Sequence, residues 1–167
     1  MRKTTCIYIA LFVVLIFSSV SAAWGQYIPN APFKPQYTAA PDFTLKDLQG
    51  KKFRLGAQRG KPVLIFFGTT WCPGCRSEIP VYKKVYETYA PRGLEVIYIN
   101  IMEPAQKVAR FAKSNSLPYR TLLDEDGRVA NAYNVVGVPM IMLVDKDGSI
   151  IKIGNSSSEM PLDKIMQ

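Results

Sequence analysis

Two cysteines, Cys72 and Cys75, carry the chemistry of this chain, in the stretch Trp71-Cys72-Pro73-Gly74-Cys75 that follows the apolar run Val63-Leu64-Ile65-Phe66-Phe67-Gly68. A strand running into such a turn exposes the first sulfur at a helix start. There, unpaired backbone N–H groups and the positive end of the helix dipole stabilise a thiolate. Cys72 is therefore the expected nucleophile. Cys75, one turn deeper, is placed to attack a mixed disulfide between Cys72 and a partner and release that partner. Pro73 suits the first helical position, where its missing N–H costs nothing.

The same spacing also serves as half of a zinc site. The chain has no histidine, however, and its one other cysteine, Cys6, lies in a segment that reads as targeting signal, so a tetrahedral site lacks its remaining ligands. A purely structural disulfide is the weaker alternative, because so small a loop hardly constrains an unfolded chain. Without histidine there is no Cys-His or Ser-His pair, no histidine-ligated copper and no Cys-x-x-Cys-His haem attachment. Proton acceptors must be carboxylates, lysines or water. No metal and no cofactor is implied.

The elements that must position the pair follow from periodicity. Val63 to Phe67 reads as a buried strand, Pro73 to Tyr89 as a helix, Leu94 to Ile99 as a second strand and Pro104 to Ser114 as a second helix. Such alternation calls for parallel strands joined by a crossover helix. Arg120 to Leu123 extends the sheet and Arg128 to Tyr133 forms a short helix. Met140 to Val144 pairs with Ser149 to Ile153 across the Asp147-Gly148 turn. Phe43 to Leu45 and Lys52 to Leu55 form an earlier hairpin around Asp47-Leu48-Gln49-Gly50. Tyr82, Tyr86 and Tyr89, at helical spacing, read as packing residues, as do Val108, Phe111 and Ala112. Pro80 falls inside the first helix and bends it.

At 167 residues the chain suits one domain behind an exported leader. Arg2 and Lys3 precede the apolar run Ile7 to Phe17, and small residues follow through Ala23, the layout of a signal peptide over residues 1–25. A retained membrane anchor is the other reading of the same run. Residues 26–40, rich in proline, read as a linker, and 41–167 as the globular domain. Loss of Arg2 and Lys3 leaves 19 basic against 13 acidic residues, a formal charge of +6. The basic residues are scattered through loops without a dense basic helix, so nucleic acid is not an expected partner. Exported chains with one close cysteine pair work in an oxidising compartment, periplasmic or otherwise extracytoplasmic.

The run Phe66 to Pro80, with Gly137-Val138-Pro139 and the strand Met140 to Val144, resembles the TlpA/ResA-type extracytoplasmic thioredoxin-like proteins over roughly residues 40 to 154. The resemblance implies a thioredoxin fold: an α/β domain with a central mixed sheet flanked by helices, here with an N-terminal β-hairpin extension. It also implies thiol-disulfide exchange, in a setting that often includes reduction of haem-attachment cysteines during cytochrome c maturation. Pro139 matches a cis-proline that faces the dithiol, which leaves the Val138 backbone free to pair with an extended substrate. Glu78, one turn after Cys75, matches a partly buried glutamate that acts as proton acceptor for the thiols. Phe66 stands where cytoplasmic thioredoxins carry a buried aspartate, which strengthens the case for Glu78. Trp71, Pro73, Gly74, Val138 and Pro139 are the expected substrate-contacting residues, with Trp71 partly buried beside the pair.

The leading function is thus a thiol-disulfide oxidoreductase that reduces disulfides in exported proteins and is itself reset by a membrane-embedded or soluble thiol reductant. A disulfide-donating oxidase would use the same sulfurs in reverse. Thr69-x-x-Cys72 matches part of the Pro-x-x-x-Thr-x-x-Cys pattern of thiol peroxidases, but Ile65 stands in place of the proline. The third reading is non-catalytic, a redox-inert binding domain or a carrier whose two thiolates hold Cu(I), although copper-carrying proteins of the fold that the resemblance implies use a third, histidine ligand that is absent here.

Overall fold

The computed structural model describes residues 39–166. The expected leader and nearly all of the proline-rich stretch lie outside the described residues. At the centre, β3 (Val63–Gly68) pairs in parallel with β4 (Glu95–Ile101), from Val63 opposite Glu95 to Gly68 opposite Asn100. On one side β5 (Arg120–Asp124) continues the parallel set, and β1 (Thr44–Asp47) and β2 (Lys52–Arg54) complete it as the N-terminal hairpin, antiparallel to β5. On the other side, β6 (Met140–Val144) and β7 (Ile150–Gly154) are antiparallel. The result is a mixed seven-stranded sheet in the order β2-β1-β5-β4-β3-β6-β7. Ala39 bridges to Ser149, and the Ala40 N–H donates to the Gly148 carbonyl, so the last two residues of the expected linker are already tied to the β6–β7 turn.

Strand alternation splits the core into two layers. Val63, Ile65 and Phe67 join Phe53, Ile97, Ile99, Leu122 and Met142 on one face, covered in part by α4 (Arg128–Ala132) through Val129. Leu64 and Phe66 join Val96, Tyr98, Tyr119 and Ile141 on the other. The helices carrying the dithiol cover this second face, where the Tyr82 ring stacks on Phe66 with centroids 3.7 Å apart. That stack shows what replaces a buried carboxylate at position 66: two aromatic rings packed face to face.

The single helix expected over Pro73 to Tyr89 is two helices, α1 (Pro73–Ser77) and α2 (Ile79–Tyr89), meeting at Glu78. The reason is Pro80, which supplies no N–H to the preceding turn and crowds its backbone. Continuity survives through the Glu78 N–H to Gly74 carbonyl bond (3.2 Å) and the Tyr82 N–H to Glu78 carbonyl bond (2.9 Å). The second crossover helix, α3 (Ala105–Ser114), buries Val108 and half-buries Phe111 and Ala112, as its spacing predicts.

Gly68 closes β3 where no side chain fits. A Cβ there would overlap the Tyr98 hydroxyl, stand 2.9 Å from its ring carbon Cζ and 3.2 Å from Cys75 Sγ. Gly68→Ala is expected to cost about 1–3 kcal/mol by overpacking. Urea unfolding should show a lower midpoint at unchanged slope; an unmoved midpoint would mean that the Tyr98 ring gives way freely.

Candidate active site

The C-terminal end of β3 delivers Thr69, Thr70 and Trp71 to the head of α1, with Cys72 as its N-cap in extended conformation (φ −71°, ψ 118°). The Cys75 N–H donates to Cys72 Sγ at 3.2 Å, so the first sulfur accepts one of the helix's otherwise unpaired donors. The Cys72 thiol in turn faces the Val138 carbonyl at 3.6 Å. Both cysteines are free thiols.

Two expectations need correction. The Cys72 residue is only 5% exposed, against 1% for Cys75, so the first sulfur is covered far more than a bare helix start implies. The cause is the segment before β6, where the Val138 carbonyl lies over the sulfur and the Val138-Pro139 bond is cis. Trp71 is not partly buried packing: it is 64% exposed. Thr69 and Thr70 are both buried, and with those two turned inward the Trp71 ring projects to solvent.

Gly74 allows the approach of the proline loop. A Cβ at that position would lie 3.3 Å from Cδ of Pro139, tighter than ordinary van der Waals contact. Pro73 and Gly74 are exposed, and Val138 and Pro139 half-buried. The structure thus gathers Cys72, Cys75, Pro73, Gly74, Val138 and Pro139 at one end of the sheet. Glu78 is half-buried at the α1–α2 junction, one turn beyond Cys75, and accepts a 3.3 Å hydrogen bond from the Ser156 hydroxyl.

Glu103 was not singled out from the sequence, yet it holds the turn that carries Cys72. Its carboxylate accepts the Thr70 N–H (2.6 Å), the Thr70 hydroxyl (2.6 Å) and the Asn100 amide (2.9 Å), and pairs with Lys107 Nζ at 2.7 Å. Burial opposes ionisation of this carboxyl, but the donors from Lys107, Thr70 and Asn100 outweigh it and hold the group below the usual carboxylate range. Its signal in the sequence is slight: an acidic residue between a strand end and the proline that opens α3.

Burial dominates the second thiol. Cys75 is pushed up to about 12 by burial, then by its hydrogen bond with Cys72, with a smaller opposing pull from the Thr69 backbone. The tyrosines behind it, Tyr82 and Tyr98, are displaced upward for the same first reason. A nucleophile with one backbone donor, beside a second thiol that holds its proton, can attack a disulfide and be resolved in a separate step.

The sequence model of the AhpC/TSA family matches residues 37–153. The thiol-disulfide oxidoreductase ResA of Geobacillus kaustophilus (strain HTA426) is 39% identical over 144 residues, 86% of this chain and 83% of the relative. That of Bacillus subtilis (strain 168) is 30% identical over 158 residues, 92% of this chain and 87% of the relative. Among solved structures, a thiol:disulfide interchange protein of the thioredoxin family from Chlorobium tepidum TLS aligns with a TM-score of 0.68 at 27% identity, covering 82% of this chain and all 100% of the other. A secreted Mycobacterium tuberculosis disulfide oxidoreductase homologous to E. coli DsbE aligns with a TM-score of 0.62 at 26% identity, over 74% and 91% of the two chains. These matches extend over most of the described fold and meet at the same chemistry, so the chain belongs to the AhpC/TSA family, among its thioredoxin-like thiol-disulfide oxidoreductases of the ResA type.

Proposed function

We propose that this oxidoreductase works outside the cytoplasm as a reductant of protein disulfides, with apocytochrome c among its substrates. The observation that carries the reading is the pairing of Cys72, capped by the Cys75 N–H and facing the Val138 carbonyl, with a Cys75 thiol that burial keeps protonated. A strong oxidant is one whose reduced form is specially stabilised, whereas a buried neutral thiol gives the reduced form no such help. Export is supported by the leader-like residues 1–25 and by the likeness to the secreted mycobacterial oxidoreductase. The apocytochrome substrate rests on the family resemblance.

In the proposed reaction, the Cys72 thiolate attacks one sulfur of the substrate disulfide and expels the other as a thiolate, which takes up a proton. Cys75 then loses its proton to Glu78 and attacks Cys72 Sγ. The Cys72–Cys75 disulfide forms, the substrate's second sulfur leaves, and two electrons have passed to the substrate. An external dithiol restores the pair. Trp71, Pro73, Gly74 and the Val138-Pro139 segment ring Cys72 and supply the surface on which an extended substrate lies. Backbone pairing along such a segment would leave substrate choice to the side chains it presents.

Cys72→Ser is expected to abolish exchange, and Cys75→Ser to trap a mixed disulfide with the natural partner, read as a band that thiol reductant removes and mass spectrometry identifies. Capture of cytoplasmic proteins alone in intact cells would sink the extracytoplasmic assignment.

The reduction potential of the Cys72/Cys75 pair, set against a dithiol buffer, is expected near thioredoxin's about −270 mV or lower, and a value near about −120 mV would make the protein an oxidase.

Because Cys75 titrates far above neutrality, resolution of the mixed disulfide should quicken with pH by close to tenfold per unit below about 12. The same displacement makes the reduced fold lose stability as pH rises from about 9 toward about 12, since the unfolded thiol ionises first. Chemical denaturation of the reduced protein should show that loss diminished in Cys75→Ser.

Glu103→Gln keeps the shape of the clamp but weakens its charged hydrogen bonds. It should lower the melting temperature and slow the attack of Cys72, while an unchanged attack rate would show that the turn holds without the charge.

A further inference from the structure

Behind the dithiol lies a buried tyrosine that the exchange steps above leave unused. Tyr98 stands on β4 directly opposite Phe66 of β3 and is 2% exposed. Its ring runs along the sheet face toward the strand ends, so that its hydroxyl covers Gly68. The point where a Cβ on residue 68 would stand overlaps this hydroxyl and lies 3.2 Å from Cys75 Sγ. Hydroxyl and sulfur therefore close on the same point from two sides, and Gly68 puts no side chain between them. In the resting dithiol the hydroxyl donates to the Thr69 carbonyl at 3.4 Å, beyond the roughly 3.0 Å at which O–H···O bonds are usually strong. A donor held so weakly is free to turn about its own C–O bond.

We propose that the Tyr98 hydroxyl turns from the Thr69 carbonyl to the Cys75 sulfur as that thiol loses its proton, and is the hydrogen-bond donor that stabilises the resolving thiolate. The inference rests on Cys75 being the resolving thiol. Electrons and protons balance without Tyr98 changing state. Cys75 S–H gives its proton to the Glu78 carboxylate, the thiolate attacks Cys72 Sγ, the new S–S bond forms and the bond to the substrate sulfur breaks. Tyr98 contributes only its polarised O–H.

Burial first, and the nearby Cys75 next, push the Tyr98 phenol far above its ordinary range, so it holds its proton and serves as a donor. Around Cys75 stand Cys72 and the phenols Tyr82 and Tyr98, with Glu78 one turn further along at the α1–α2 junction and Tyr119 packed against the Tyr98 ring. All of these except Tyr98 are acidic groups already assigned a role or aromatic packing whose hydroxyls, in Tyr82 and Tyr119, have no hydrogen-bond partner among the described residues. The side chains that come nearest to the point where a Gly68 Cβ would stand are those of Tyr98 and Cys75.

The test is a single-turnover reaction of the reduced full chain, carrying Cys6→Ser in every variant so that the pair supplies the only thiols, with 5,5′-dithiobis-(2-nitrobenzoate), a symmetric disulfide that releases one coloured thiolate when Cys72 attacks and a second when Cys75 resolves. Tyr98→Phe keeps the ring and removes the donor. The first release is expected to stay within about twofold of wild type, and the second to slow by about tenfold or more, the scale of one hydrogen bond to a charged group. The pH profile of the second release should move to higher pH. Tyr119→Phe, which removes another buried hydroxyl, should leave both releases unchanged. An unaltered second release in Tyr98→Phe, equal slowing of both releases, or the same slowing in Tyr119→Phe would overturn the proposal. Cys75→Ser separates the two layers: a second release that persists there would instead overturn Cys75 as the resolving thiol.

Discussion

The geometry of the dithiol depends on how the end of β3 is fastened to the end of β4. Backbone pairing of the two strands stops at Gly68 opposite Asn100, and beyond it the chain must turn into α1 without a ladder to hold it. Glu103 supplies the missing tie by accepting both the N–H and the hydroxyl of Thr70 and the amide of Asn100. A buried carboxylate without donors would be costly; with four donors around it, one of them Lys107, it becomes a rigid joint between adjacent strands. Cys72 lies two residues from that joint. Its sulfur keeps one position relative to the Cys75 N–H and the Val138 carbonyl because the turn before it cannot slide.

The parts of this arrangement that were legible in the sequence are those whose signal is local. The apolar run Val63 to Phe67, the Cys-x-x-Cys spacing, Pro73 at the first helical position and the Asp147-Gly148 turn each carry their meaning within a few residues. Pro80 announced a bend, though the full break at Glu78 needed the geometry of both helices. Glu103 could not be read, because its partner Thr70 is 33 positions away and a lone glutamate before a proline is commonly a surface charge. Trp71 failed for a related reason: whether an aromatic beside a buried pair faces in or out depends on which neighbours take the interior, and here two threonines do.

Covering Cys72 changes what recognition must accomplish. Cys72 is 5% exposed and faces the Val138 carbonyl, so in the proposed reaction a substrate disulfide must reach the sulfur past that segment. On that proposal the exposed Trp71 ring is the apolar contact and the half-buried Val138-Pro139 segment the backbone one. Gly74 lets the two sides come together, since a larger residue would press Pro139 away from α1. Access is thus set by the same close packing that fixes the sulfur.

The space behind the pair obeys a different rule. On β3, Phe66 stacks on Tyr82, and behind the second sulfur the Tyr98 hydroxyl donates to the Thr69 carbonyl. Such a wall offers Cys75 little to stabilise a negative charge, and burial holds the thiol protonated in the free dithiol. Phenols suit that task better than carboxylates because they donate without bringing a negative charge into the low-dielectric space, where like charges on sulfur and carboxylate would oppose each other most strongly. Gly68 and Tyr98 are then one feature in two strands: the residue without a side chain makes room for the hydroxyl, which comes to stand close to the second sulfur.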